Sequence, residues 1–118
     1  KCLSEMSAYS KALGANPATF LGLAGVGDFF STALSSDSRN YRFGEFLAEG
    51  LNTETALNEV GDTVEGYRAS LLVHENAKVM NLDLKLLDYL ISIYEGPKDL
   101  SEDKKIFHSL NIERDINF

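Results

Sequence analysis

Apolar residues recur at the three- and four-residue spacing of amphipathic helices along nearly the whole chain. Leu3, Met6 and Leu13, with small Ala12, give the opening segment helical spacing from its first residues. Asn16-Pro17 is a helix start signal, with Asn as N-cap and Pro at the first helical position. That helix is short and runs into three glycines, Gly22, Gly25 and Gly27, each costing about 1 kcal/mol in a helix relative to Ala. Asp28 then suits the N-cap of a helix over Phe29 to Ser35. Ser38 suits the cap of the next helix, Arg39 to Glu49, with Phe43, Phe46 and Leu47 on one face and Gly50 closing it. A helix from Thr53 to Val60 stops at Gly61. A longer one, Glu65 to Met80, turns Tyr67, Leu71, Leu72 and Ala77 inward. Leu84 to Glu95 carries Leu86, Leu87, Leu90, Ile91 and Tyr94 and ends at Gly96-Pro97. Ser101 starts a last helix with Ile106, Phe107 and Leu110, and NIERDINF reads as terminal coil. No alternating strand pattern sits between turn signals, and no repeat of 20–50 residues is visible. The expected fold is a compact all-α bundle.

Composition narrows the function classes without choosing one. A chain of 118 residues supports one domain with one core. Net charge is −7, spread along the chain, which disfavours indiscriminate binding to nucleic acid or anionic lipid. Cys2 is the only cysteine, so no intrachain disulfide forms and a reducing, cytoplasmic setting is the default. No apolar run reaches the roughly 20 residues that span a bilayer. The opening KCLSEMSAYSKALG lacks an initiator Met and starts inside a helical pattern, so a piece of a longer protein is expected. Such a piece would expose an apolar helical face at its cut edge, which makes association, for example as a homodimer, plausible.

The candidate chemistry lies between Gly22 and Arg68. Gly22-x-x-Gly25-x-Gly27 fails the context test of a dinucleotide fingerprint, because no strand precedes it and the glycine order is reversed. Its glycines allow a sharp turn or a close approach to a ligand or to another helix. Asp28 by itself reads more simply as an N-cap than as a reacting group; Thr32, four residues on, would share its face. Ser38-Arg39-Asn40 combines a helix N-terminus, a guanidinium fork and an amide donor, the components of an anion site. The plain alternative is a capped helix whose Arg39 pairs with Glu45 or Asp37. Thr63-Val64-Glu65 places an acid at the start of the long helix, either as dipole compensation with Arg68 or as an acceptor for a ligand hydroxyl. His74, Glu75 and His108 have no metal-ligand spacing, and Cys2 has no basic neighbour beyond Lys1.

Taken together, TFLGLAGVGDFFST (Thr19–Thr32), SRNYRFG (Ser38–Gly44) and VEGYR (Val64–Arg68) resemble the bacterial-type NAD(P)-dependent glycerol-3-phosphate dehydrogenases. SEMSAYSKALGANPATF before them and the helix ending YEG after them fit as well, so the resemblance runs from about Leu3 to Gly96. It implies an all-helical substrate domain of the 6-phosphogluconate-dehydrogenase-like type, residues 1–118 being most of it, with a Rossmann domain elsewhere. It implies glycerol 3-phosphate and dihydroxyacetone phosphate as substrates, NAD or NADP as cofactor, and a role in phospholipid synthesis. Carried over by motif, Asp28, Thr32, Ser38, Arg39 and Asn40 become substrate residues. Arg39, Thr63 and Glu65 become cofactor contacts, with Thr63 acting through its backbone because the family often has valine there. Asp28 would orient and electrostatically balance a lysine that exchanges the proton on the substrate's C2 oxygen.

The sequence departs from the family in one respect. The family lysine belongs to an Ala-Leu-Lys-Asn-like motif, and neither Lys1 nor Lys11 lies in one. The phosphate-binding glycine turn of a Rossmann half is also absent. The chain alone is therefore expected to be inactive, with the choice between NAD and NADP made outside it. Two other readings compete: the helical domain of another hydroxyacid dehydrogenase, and a non-catalytic helical interaction module.

Overall fold

A computed structural model describes residues 1–16 and 18–96, together with Lys104, Lys105 and His108. Among them it is helical throughout, with no strand. The helices are α1 (Cys2–Ala12), α2 (Ala18–Leu21), α3 (Leu23–Ala33), α4 (Arg39–Ala48), α5 (Thr53–Val60), α6 (Glu65–Val79) and α7 (Lys85–Tyr94). The all-α expectation is met. Lys104, Lys105 and His108 are helical, where the sequence predicts a last helix; the rest of that helix and the terminal coil lie outside the described residues.

The capping signals explain where α4 and α5 begin and end. Ser38 is extended, and its Oγ accepts the N–H of Tyr41 at 3.5 Å, a long capping bond. Helix α5 runs from Thr53 to Val60 as expected, and Asn52 caps it, its Oδ1 taking the Thr55 N–H at 2.8 Å. Gly61 ends α5 at φ 75°, a left-handed conformation that glycine adopts without a Cβ penalty.

The glycine-rich stretch behaves differently from the sequence expectation. The break falls at Gly22, which is extended and serves as the N-cap of α3. Helix α3 then runs through Gly25 and Gly27, and Asp28 sits within it rather than capping a later helix. Low intrinsic propensity lowers a helix's stability but does not forbid it.

The core is small and lies where α4, α5 and the start of α6 meet. Phe43, Ala56, Val60 and Val64 are buried, with Ala56 fully enclosed, and Phe46, Leu47, Leu51, Leu57, Tyr67 and Tyr94 pack around them. Phe43, Tyr67 and Tyr94 form an aromatic triangle with centroid separations of 5.0–5.8 Å. Ser70 is buried too; its Oγ donates to the Tyr67 carbonyl at 2.7 Å and lies 3.1 Å from the Tyr94 hydroxyl. Burial pushes the Tyr94 phenol above its ordinary value, offset in part by Ser70 and reinforced by Tyr67.

Two expectations about inward faces need correction. On α6 the inward stripe runs Tyr67, Ser70, His74, Ala77, the 3.6-residue repeat that meets α4 and α7. Leu72 falls behind that stripe and is 63% exposed, while Leu71 lies at its edge and is exposed as well. On α7 the stripe is Leu84, Leu87, Ile91 and Tyr94, so Leu90 also lies at an edge.

Long-range polar contacts fasten the outer helices. The Glu5 carboxylate of α1 accepts the N–H groups of Leu86 (2.8 Å) and Leu87 (3.1 Å). A side chain some eighty residues away thus supplies the cap that Leu84 does not provide. His74 Nε2 meets Asp88 Oδ1 at 3.0 Å and ties α6 to α7. Asn76 Nδ2 donates to the Tyr9 hydroxyl at 3.1 Å and ties α6 to α1.

Candidate functional site

The core brings two helix N-termini together. Phe43 anchors α4 while Val60 and Val64 anchor the loop before α6, so the first turns of α4 and α6 face one another. The result is a direct bond: Asn40 Oδ1 accepts the N–H of Gly66 at 2.9 Å across 26 residues of sequence. Asn40 thereby caps α6, which has no side-chain cap of its own at Val64. A Cβ at position 66 would lie 2.7 Å from Asn40 Oδ1, so any larger residue there would make the Asn40 side chain shift.

Arg39, one residue earlier, reaches the same loop. Its Nη1 lies 3.1 Å from Asp62 Oδ2, and Asp62 Oδ1 accepts the Thr63 N–H at 2.7 Å. The partner is therefore Asp62, not the Glu45 or Asp37 considered from sequence. Both side chains are substantially exposed, so the pair leaves the guanidinium accessible.

Two open grooves meet at this point. One, of about 470 Å³, is lined by Ser31, Thr32, Ser35, Asp37, Ser38, Arg39, Asn40 and Glu65. The other, of about 580 Å³, is lined by Met6, Gly25, Asp28, Phe29, Thr32, Ala33, Ser38, Asn40 and Tyr41. Thr32, Ser38 and Asn40 belong to both. Asp28 and Arg39 thus stand in adjoining grooves joined through three shared residues, not in one pocket. Glu65 faces the Arg39 side, while Thr63 is half-buried in the loop behind it and lines neither groove. Gly25 lines the groove of Asp28, where the missing side chain leaves the helix surface low.

The lining combines donors that suit an anion with acceptors that suit hydroxyls. The first N–H groups of α4 lack intrahelical partners and carry the positive end of its dipole. Arg39 adds a delocalised cation, four hydroxyls (Ser31, Thr32, Ser35, Ser38) add donors and acceptors, and Asp28, Asp37 and Glu65 accept from hydroxyls. Sequence reasoning missed Asp62 and Gly66. Asp62 carries no motif signal; Gly66 lies within the quoted VEGYR, but its bond to Asn40 is tertiary. Elsewhere, burial pushes the Cys2 thiol above its ordinary range, which suits packing rather than nucleophilic chemistry. Among the described residues no three His, Cys, Asp or Glu side chains gather to hold a metal ion, and no helix is long and apolar enough to cross a membrane.

Fold and grooves define a helical domain with a polar, donor-rich cleft at paired helix N-termini. Residues 1–103 match the family model described as NAD-dependent glycerol-3-phosphate dehydrogenase C-terminus, and the chain belongs to that family. The glycerol-3-phosphate dehydrogenase [NAD(P)+] of Pseudomonas aeruginosa is 36% identical over 118 residues, covering 100% of this chain and 35% of the relative. The enzymes of that name from Vibrio cholerae and Vibrio campbellii are 38% identical over 112 residues and 39% over 111, covering 88% and 87% of this chain and 33% and 32% of theirs. The chain spans about a third of the length of the curated relatives it matches. No solved structure gives a significant match.

Proposed function

We propose that this chain is the substrate-binding, C-terminal part of an NAD(P)-dependent glycerol-3-phosphate dehydrogenase, which interconverts glycerol 3-phosphate and dihydroxyacetone phosphate in the cytoplasm. The observation that carries the reading is the bond between Asn40 and Gly66, which sets the Ser-Arg-Asn and Val-Glu-Gly segments side by side. A phosphorylated three-carbon substrate needs an anion reader next to hydroxyl acceptors, and the paired grooves offer both. Family membership supports the same reading.

In this reading Arg39, Ser38 and the first N–H groups of α4 bind and orient the anionic end of the substrate. Thr32 and Asn40, common to both grooves, hold the substrate hydroxyls between that end and Asp28. Asp28 accepts a hydrogen bond from the proton-exchanging lysine, which the rest of the enzyme provides, and offsets its charge. The exposed Arg39, with the acceptor Glu65 in the same groove, also suits the phosphates and hydroxyls of a dinucleotide. When bound, the nicotinamide supplies the hydride chemistry, and these side chains supply position and field. The nucleotide-binding domain and the preference between NAD and NADP lie outside this chain.

The test is the full-length protein mixed with dihydroxyacetone phosphate and NADH or NADPH, followed by loss of nicotinamide absorbance. Substrate-dependent oxidation by the full-length protein, absent from the 118-residue chain alone, is the expected result. A folded full-length protein inert with both cofactors, and unable to bind glycerol 3-phosphate, would point to a non-catalytic helical module instead.

A further inference from the structure

Asn40 has two hydrogen-bonding ends, and the fold has already used one. The N–H of Gly66 can only donate, so the atom it meets at 2.9 Å is the amide oxygen of Asn40. That contact fixes the sense of the amide on chemical grounds. The NH2 end belongs to a side chain that lines both grooves. Nothing larger than glycine fits at 66 without moving the Asn40 amide, because a Cβ there would sit 2.7 Å from Oδ1, 2.8 Å from Cγ and 3.0 Å from Nδ2.

We propose that Gly66 is a positioning residue that selects what the groove reads: its backbone N–H holds Asn40 oxygen-inward, so that the groove is offered an N–H donor and takes a ligand oxygen that accepts. Phosphate, carbonyl and hydroxyl oxygens meet that condition; a ligand cation or a group that can only donate does not. The inference rests on the reading of the grooves as the glycerol 3-phosphate site and adds a residue of α6 that touches no ligand. Asn40→Asp removes the donor, and the negative charge it adds beside an anionic ligand weakens binding in the same direction. The carboxylate keeps the shape, still accepts from Gly66 and sits at two helix N-termini where negative charge is favoured, yet it replaces the donor with a second acceptor. Gly66→Ala tests the claim from the other side, since the methyl group displaces the amide while alanine favours the helix.

Three measurements on the full-length protein test this: calorimetric titration with glycerol 3-phosphate, melting temperature, and hydrogen exchange at the Gly66 amide. Asn40→Asp should melt no lower than wild type yet bind glycerol 3-phosphate roughly 10- to 100-fold more weakly. Gly66→Ala should melt within a few degrees of wild type and bind about tenfold more weakly. Asn40→Ala should speed exchange at Gly66. Wild-type affinity in both Asn40→Asp and Gly66→Ala would overturn the positioning role while leaving the groove assignment intact. Faster exchange at Gly66 in Asn40→Ala, combined with no binding by wild type, would instead remove the groove assignment and reduce Gly66 to a helix-capping partner. Unchanged exchange in Asn40→Ala would mean that the bond itself is absent and would overturn the proposal outright.

Discussion

Replacing Arg39 with alanine separates the two roles that its geometry permits. Among the described residues it pairs with Asp62 at 3.1 Å, the two side chains being 47% and 69% exposed. Exposed ion pairs contribute about 0.2–1 kcal/mol, because water screens the attraction and two flexible side chains must be held. A loss of that size lowers Tm by no more than roughly 5 °C in a domain this small. A guanidinium bonded to a substrate phosphate is a different case, since a charge-assisted hydrogen bond contributes about 1.5–3 kcal/mol. Losing it raises KM by roughly 10- to 150-fold. The contact exists before and during hydride transfer, so kcat should change far less than KM. Steady-state assays of the full-length protein with dihydroxyacetone phosphate as the varied substrate, run beside a thermal melt, read both effects. Arg39→Lys keeps the charge but loses the planar fork and should fall between wild type and alanine. A Tm drop of many degrees with KM unchanged would refute the reasoning and make Arg39 a structural tether of the loop before α6.

Other predictions follow from contacts away from the grooves. Glu5→Ala removes the carboxylate that accepts two N–H groups at the start of α7 and should cost about 1–2 kcal/mol, read as a lower denaturation midpoint; Glu5→Gln, which keeps one acceptor oxygen, should lose about half as much. Because burial raises the folded-state value of Tyr94, its stabilising contribution is complete below the ordinary tyrosine value near pH 10 and is lost as pH rises through the raised folded value. Tyr94→Phe lacks this titration, so the stability gap between wild type and mutant should be flat through neutrality and move in favour of the mutant above about pH 10, as chemical denaturation across that range would show.

Much of this architecture was legible before any coordinates. Ser38, Gly61 and the spacing of Phe43, Ala77 and Ile91 carry local signals, and local signals fix helix ends and inward faces. The errors arose where a local rule met a tertiary one. Asp28 has the chemistry of an N-cap, yet α3 starts at Gly22 and passes straight through the glycines. Leu72 has the polarity of a core residue, yet α6 turns Ser70 and Ala77 inward and leaves it in solvent. Ser70 can be buried only because Tyr67 and Tyr94 satisfy its hydroxyl, a condition that no periodicity encodes. The candidate site shows the same division. The family motifs drew attention to Asp28, Thr32, Ser38, Arg39, Asn40, Thr63 and Glu65. Composition could not say that Asn40 is pinned by Gly66 and Arg39 by Asp62, because both contacts depend on α5 folding between them.

The central claim is that the joined grooves between α3 and the N-terminus of α4 hold a small phosphorylated substrate. A crystal structure of the full-length protein with glycerol 3-phosphate tests it most directly. The account predicts the ligand's phosphate or hydroxyl oxygens within hydrogen-bond distance of Ser38, Arg39 and Asn40, with Thr32 and Asp28 on the adjoining side. Ligand bound at another surface, with Arg39 still engaged only by Asp62 and both grooves filled by water, would contradict it.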